Sequence, residues 1–157
     1  MSYTLESLIE QEQQLELEYF NQDVAWQLGS CIKTLAEKKG ASISIEVFGF
    51  GQTLFQYCMM GSSADQLDWI RRKRNSVLCY GKSTYYLSLY NEGKKRVFET
   101  QPHIDPNEYC AHGGSFPIRI KGSGLVGAVT ASGLASLEDH ELVTEAMKQA
   151  LESQKAQ

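Results

Sequence analysis

Residues 42–60 read SISIEVFGFGQTLFQYCMM. Ile43, Ile45 and Val47 alternate along the first run and so share one face of an extended chain. The run breaks at Gly49-Phe50-Gly51-Gln52 and resumes as TLFQYCMM, which predicts a β-hairpin. A second pair of runs, FPIRIK and LVGAVTASG, flanks Gly122-Ser123-Gly124 and predicts another hairpin whose last strand is lined with small residues. Tight hairpins join antiparallel neighbours, whereas parallel strands need long crossovers. A parallel βαβ sheet is excluded, and the expected fold is α+β: a two-layer profilin-like or PAS-like domain, its antiparallel sheet covered by helices chiefly on one face.

The helices read outward from these hairpins. Leu5, Leu8, Ile9 and Leu15 recur at near-helical intervals, and Val24, Ala25, Leu28, Cys31, Ile32, Leu35 and Ala36 do so more regularly. The second of these helices begins near Asn21 or Asp23 as cap and stops at Gly40. SSADQLDWIRRKRNSVLCYG opens on serine and acidic residues and closes on Gly81, a third helix. STYYLSLYNEG suits a short helix or, by its tyrosines, a strand. Ser136-Leu137-Glu138-Asp139 resembles a capping box, and Leu142, Val143, Ala146, Met147, Ala150 and Leu151 keep helical spacing behind it. Between these elements, residues 101–115 carry two prolines, adjacent glycines and two histidines, an irregular loop of the length that tends to carry function.

Composition narrows the class. The 157 residues are 42% hydrophobic and 22% charged, one domain over 1–157 that buries a core without disulfides or a structural metal. A net charge of -4 argues against broad nucleic-acid binding. The longest uncharged stretch, Gly122 to Leu137, is too short and too polar to span a membrane. The acidic N-terminus lacks the features of a secretory signal, so the cytoplasm is the expected compartment. Cys31, Cys58, Cys79 and Cys110 lie more than 20 residues apart, each beside apolar residues, and read as reduced, mostly buried thiols.

Several motifs fail their context tests. GSGLVG at residues 122–127 matches GxGxxG but sits between two strands, where no helix N-terminus meets a pyrophosphate. SVLCYGKS at 76–83 lacks the first glycine of a phosphate loop and ends a helix. His103, Asp105, Glu108 and His112 are four potential metal ligands within ten residues, yet no HxH or HxxxH spacing gives them a common face. Ser115 or Ser132 with His112 would make a nucleophile and base for a hydrolase, but no pattern ties them together.

Two features carry more weight. Arg71-Arg72-Lys73-Arg74 is the concentrated positive charge, and Arg74 falls seven residues after Leu67 on the apolar line, so it is expected to point inward. A buried guanidinium needs a partner, either Glu46 or a bound anion. In His112-Gly113-Gly114-Ser115, two glycines expose backbone amides and allow a ligand to approach closely.

WIRRKRNSV, EYCAHGGSFPIRIKGSGLVGAVTASGL and EDHELVTEAM together resemble an uncharacterised family of the haem-degrading-domain (GlcG/HbpS-like) superfamily over nearly the whole chain. The resemblance implies a two-layer α/β domain with an antiparallel sheet of about five strands, assembled as dimers or larger closed particles. Some relatives in that superfamily bind haem or a related tetrapyrrole. No CxxCH motif supports haem independently here, and His103 and His112 are candidates by chemistry alone. The expectation is a homo-oligomeric domain binding a small or planar anionic ligand, haem among them. Its site gathers Arg72, Lys73, Arg74 and Asn75, the His112-Gly113-Gly114 turn, Ser132 and Gly133, with Phe116 or Tyr109 against a flat ring. The alternative is a non-enzymatic scaffold or adaptor in which the same segments shape contacts with subunits or protein partners.

Overall fold

Both hairpins form. In the computed structural model, which describes residues 2–157, β1 (Ser44–Gly49) and β2 (Gln52–Cys58) are joined by Phe50 and Gly51, with φ of 53° and 76°. Two successive positive φ angles give the turn whose twist matches that of paired strands. β3 (Ser115–Ile120) and β4 (Gly124–Ser132) form the second hairpin. β4 also pairs with β1, so the hairpins fuse into one antiparallel sheet of order β2-β1-β4-β3, four strands rather than about five.

The register sorts the side chains. Ile45 lies opposite Ala131 and Val47 opposite Val129, and these residues join Phe116 and Ile118 on one apolar face. α2 (Gln22–Lys38) and α5 (Ser136–Lys155) cover that face with Leu28, Ile32, Leu142 and Met147. The other face carries Ser44, Glu46, Phe48, Thr130 and Ser132, because successive strand residues alternate sides. α3 (Asp65–Tyr80) crosses this more polar face, where Arg74 reaches Glu46 and Lys73 reaches the Ala131 carbonyl.

The ends of the helices follow their local chemistry. Asn21 caps α2 by accepting from the Val24 amide, and Gly40 at φ 67° follows its last turn. The tyrosine-rich run is a helix, α4 (Thr84–Gly93), because the Ser83 hydroxyl accepts from the Tyr86 amide and Leu87 finds a second small core of Phe98, Ile104 and Ala111. α1 (Leu5–Gln14) is tied down by Glu12, a buried carboxylate that accepts from the Ser83 amide and from Arg119.

Two expectations need correction. Ser136 does not cap α5 with its side chain: it is the first helical residue, and Asp139 instead folds back to accept from the Gly133 and Leu134 amides. The thiols are not mostly buried. Cys110 is, but Cys58 lies on the exposed edge strand and Cys79 on the outer side of the last turn of α3, since apolar sequence neighbours on a helix or strand face other directions. Among the described residues no helix is long and apolar enough to cross a membrane.

Candidate functional site

The apolar line of α3 predicts Arg74 inward, and Arg74 does reach the sheet, but the more deeply buried cation is Lys73. The buried positions of α3 are Ile70, Lys73, Ser76 and Val77, because the sheet face beneath it is polar and selects a mixed stripe. Arg74 is half-buried one position away, its guanidinium 2.9 Å from Glu46 Oε1 and 4.4 Å from the centre of the Phe48 ring. Glu46 is thus the partner of Arg74, one of the two alternatives left open by the sequence.

Lys73 is 3% exposed. Its Nζ donates to the Ala131 carbonyl at 3.1 Å and to Asp139 Oδ2 at 3.2 Å. The Asp139 carboxylate in turn accepts from the amides of Gly133 (3.3 Å) and Leu134 (3.1 Å). Burial outweighs the attraction within this pair on both sides. It holds the Lys73 ammonium below the usual lysine range, and it pushes the Asp139 carboxyl up to about 6 against the opposing pull of Lys73 and the two amides.

The double glycine is what lets this pair form under the loop. Gly114 has φ 136°, and a Cβ there would collide with the Ala131 carbonyl oxygen and with Lys73 Nζ; one on Gly113 would collide with the Ser136 carbonyl. The turn is buried against β4 and the start of α5. What sits beside the inward cation and the glycine turn is the protein's own Asp139.

Above the pair opens a pocket of about 290 Å³. Gln66, Trp69 and Lys73 of α3 form one wall, Ser132, Gly133 and Leu134 the other, with Ser136 and Asp139 at the start of α5 and Asp65 and His112 at the rim. Of the expected site residues the pocket brings together Lys73, His112, Ser132 and Gly133, with Gly114 packed behind Lys73. The His112 side chain is 51% exposed; its ring stands edge-on to Trp69 at 5.1 Å, and Nε2 lies 3.5 Å from Glu99 Oε2. Glu99 is itself held by the Ala111 amide.

The other expected residues lie elsewhere. Arg72 stacks 4.0 Å over the Trp69 ring and bonds Asp68, just outside the pocket. Asn75 donates to the Glu108 carbonyl and, with Arg71, pins the long loop onto α3. Tyr109 packs against the small core around Leu87. Phe116 is 1% exposed and belongs to the main core, and the Ser115 hydroxyl pairs with Thr130. Among the described residues no three His, Cys, Asp or Glu side chains converge as a metal site, and Glu108 and His112 face different partners, Arg71 and Glu99. A larger cleft of about 740 Å³ between α1 and α5 contains none of these site residues. Sequence reasoning missed Trp69, Glu99 and Asp139 as site residues. Asp139 had a signal, an acid in the first turn of α5, but that signal reads equally as capping.

A model of the family described as haem-degrading protein HbpS-like matches residues 20–148. The chain belongs to the HbpS-like family. A UPF0303 protein of Psychromonas ingrahamii is 49% identical over 151 residues, covering 96% of this chain and 95% of that one. The crystal structure of Ybr137w superposes with a TM-score of 0.86 at 26% identity, over 95% of this chain and 90% of that one. The crystal structure of a PduOC:heme complex shares the fold, with a TM-score of 0.71 at 14% identity over 82% of this chain and 93% of that one.

Proposed function

We propose that this HbpS-like chain is a ligand-binding domain whose pocket takes a carboxylate-bearing ligand. The observation that carries the reading is a buried lysine lining the same polar pocket as an indole and an exposed imidazole. An ammonium has three donors, and the protein uses two of those on Lys73. A ligand carboxylate accepts the third and meets the Ser132 hydroxyl, while the body of the ligand rests against Trp69 and His112.

Haem is the member of this class toward which the family points, and the PduOC:heme complex is a precedent for haem on this fold. The donor set fits in a limited way. A volume of about 290 Å³ is at the small end of ligand pockets and suits a propionate arm, not a macrocycle. The ring would lie outside against Trp69, with the propionate at Lys73 and Arg72 and the His112 imidazole as the nearby nitrogen donor. When bound, haem would supply iron chemistry; the residues here bind and orient.

Titrating the protein with haemin by absorbance, and with succinate by thermal shift, tests this reading. Both are expected to bind, succinate to compete with haemin, His112→Ala to weaken haemin alone, and Ser132→Val to weaken both. No response to either compound overturns it.

A second reading, assembly as a homo-oligomer that also docks protein partners, is favoured by the edge strand β2. Trp26 (66% exposed), Tyr57 and Met60 (95% exposed) flank it. Open edges and clustered exposed apolar residues mark protein contacts. Light scattering on the wild type and on Trp26→Ser tests it: a monomer in both removes the assembly.

A further inference from the structure

Lys73 differs from an ordinary buried lysine in what lies on each side of it. Its Nζ lies against Gly114 and 3.2 Å from the Asp139 carboxylate, and both residues of the pair line the pocket. A sealed ion pair is a poor stabilising device, since desolvating two charges offsets most of their attraction. A desolvated amine beside a carboxyl group at the lining of a cavity is instead the arrangement that carbonyl chemistry uses. We propose that Lys73 is a nucleophile that forms an imine with a small aldehyde or 2-oxo acid admitted to this pocket, with Asp139 moving the protons. This deepens the reading of the pocket as a carboxylate-binding site and rests on it.

Atoms and electrons balance within the pair. The Lys73 ammonium passes one proton to the Asp139 carboxylate across their contact. The freed nitrogen lone pair attacks the carbonyl carbon, a C–N bond forms, and the C=O π pair moves onto oxygen, which takes the proton from Asp139. The resulting nitrogen cation returns a proton to Asp139. That proton then goes to the hydroxyl, which leaves as water with its bonding pair while the nitrogen lone pair closes the C=N bond. One ammonium and one carbonyl give one iminium and one water, and Asp139 ends as the carboxylate it began as.

The pocket also limits the substrate. About 290 Å³ has room for roughly ten water-sized groups, and Ser132 and His112 line it together with Lys73, which suits a carbonyl compound that also carries a carboxylate. Short 2-oxo acids meet both conditions.

Glyoxylate with sodium cyanoborohydride, which reduces an imine to a stable secondary amine, tests this on the folded wild type by peptide mapping. Adduct is expected at Lys73 ahead of any of the other nine lysines, since the pocket brings the carbonyl to this amine and to the carboxylate that moves its protons. The preference is expected to vanish in urea. Labelling spread over the other lysines, with Lys73 unmodified until the protein is unfolded, overturns the proposal without need of a variant. Haemin or succinate binding without a Lys73 adduct removes the imine alone, whereas loss of both removes the site.

Discussion

Lys73 Nζ and Asp139 Oδ2 lie 3.2 Å apart, with side chains 4% and 2% exposed, and join the middle of α3 to the first turn of α5 across the end of β4. The sheet is thereby clamped between helices on opposite faces. Removing one partner leaves the other buried without its counter-charge. Lys73→Met is expected to lower the unfolding free energy by about 3–5 kcal/mol, because it leaves the Asp139 carboxyl buried without its cation. Lys73→Met/Asp139→Leu is expected to recover most of that loss. Urea denaturation of both proteins measures the difference; equal losses in the single and double variants would show that the pair is not coupled.

Gly114 is a sharper probe of the same region because nothing but hydrogen fits there. At φ 136° any side chain is strained, and a Cβ collides with backbone as well as with Lys73. Gly114→Ala is expected to cost about 2–5 kcal/mol from strain and overpacking together, and to weaken succinate and haemin binding by displacing Lys73. Gly122→Ala is the control: its φ of 77° is also left-handed, but no atom lies within 4 Å of the added carbon. A loss at Gly122 as large as at Gly114 would mean that backbone strain alone accounts for the effect.

The hairpins, the α2 cap at Asn21, the stop at Gly81 and the apolar face of Ile45 and Val47 were legible in the sequence because each is a local signal. The inward residue of α3 was not. Its partner surface is the polar side of the sheet, so Lys73 and Ser76 take buried positions that an apolar stripe assigns to others. The segment from Arg71 to Arg74 shows the charge plainly, but which cation meets which carboxylate depends on contacts across 28 positions for Arg74 with Glu46 and 66 for Lys73 with Asp139. Trp69 was invisible as a site residue for the same reason: His112, which it meets, lies on a loop remote from it in sequence.

Phe116 separates core from site. It lies immediately after the His112–Ser115 turn, yet its ring is buried among α2, α5 and the sheet. Phe116→Leu removes apolar contacts and is expected to cost about 1–2 kcal/mol while leaving succinate and haemin affinity unchanged. Trp69→Leu is expected to do the reverse, with a small stability change and a loss of haemin affinity, since Trp69 is half-buried at the pocket wall. Calorimetry on both variants decides; a Phe116→Leu protein that melts like the wild type but no longer binds would place the ligand on the wrong side of the sheet.

His140 gives a pH dependence with a defined sign. Its ring is fully buried between Tyr85 and Phe116, Nε2 lies 2.9 Å from Gln11 Oε1, and Nδ1 is the buried side-chain atom left without a partner among the described residues. Burial lowers its pKa from 6.5 to about 4. A basic group whose folded pKa is depressed contributes stability that is present above pH 6.5 and lost as pH falls toward 4, worth about 3 kcal/mol over that window. Asp139 acts in the opposite direction, because an acid raised to about 6 in the folded state stabilises the fold as pH falls through that value. The two effects offset one another in the wild type and flatten its acid response. In His140→Gln the histidine contribution is absent, so the stability gap to wild type is expected to change by about 3 kcal/mol in the variant's favour between pH 7 and pH 4. In Asp139→Asn the wild-type flattening is expected to disappear and acid sensitivity to steepen. Urea midpoints at pH 7, 5.5 and 4 for the three proteins check both signs, and a His140→Gln gap that stays constant with pH would show that the imidazole reaches solvent when it protonates.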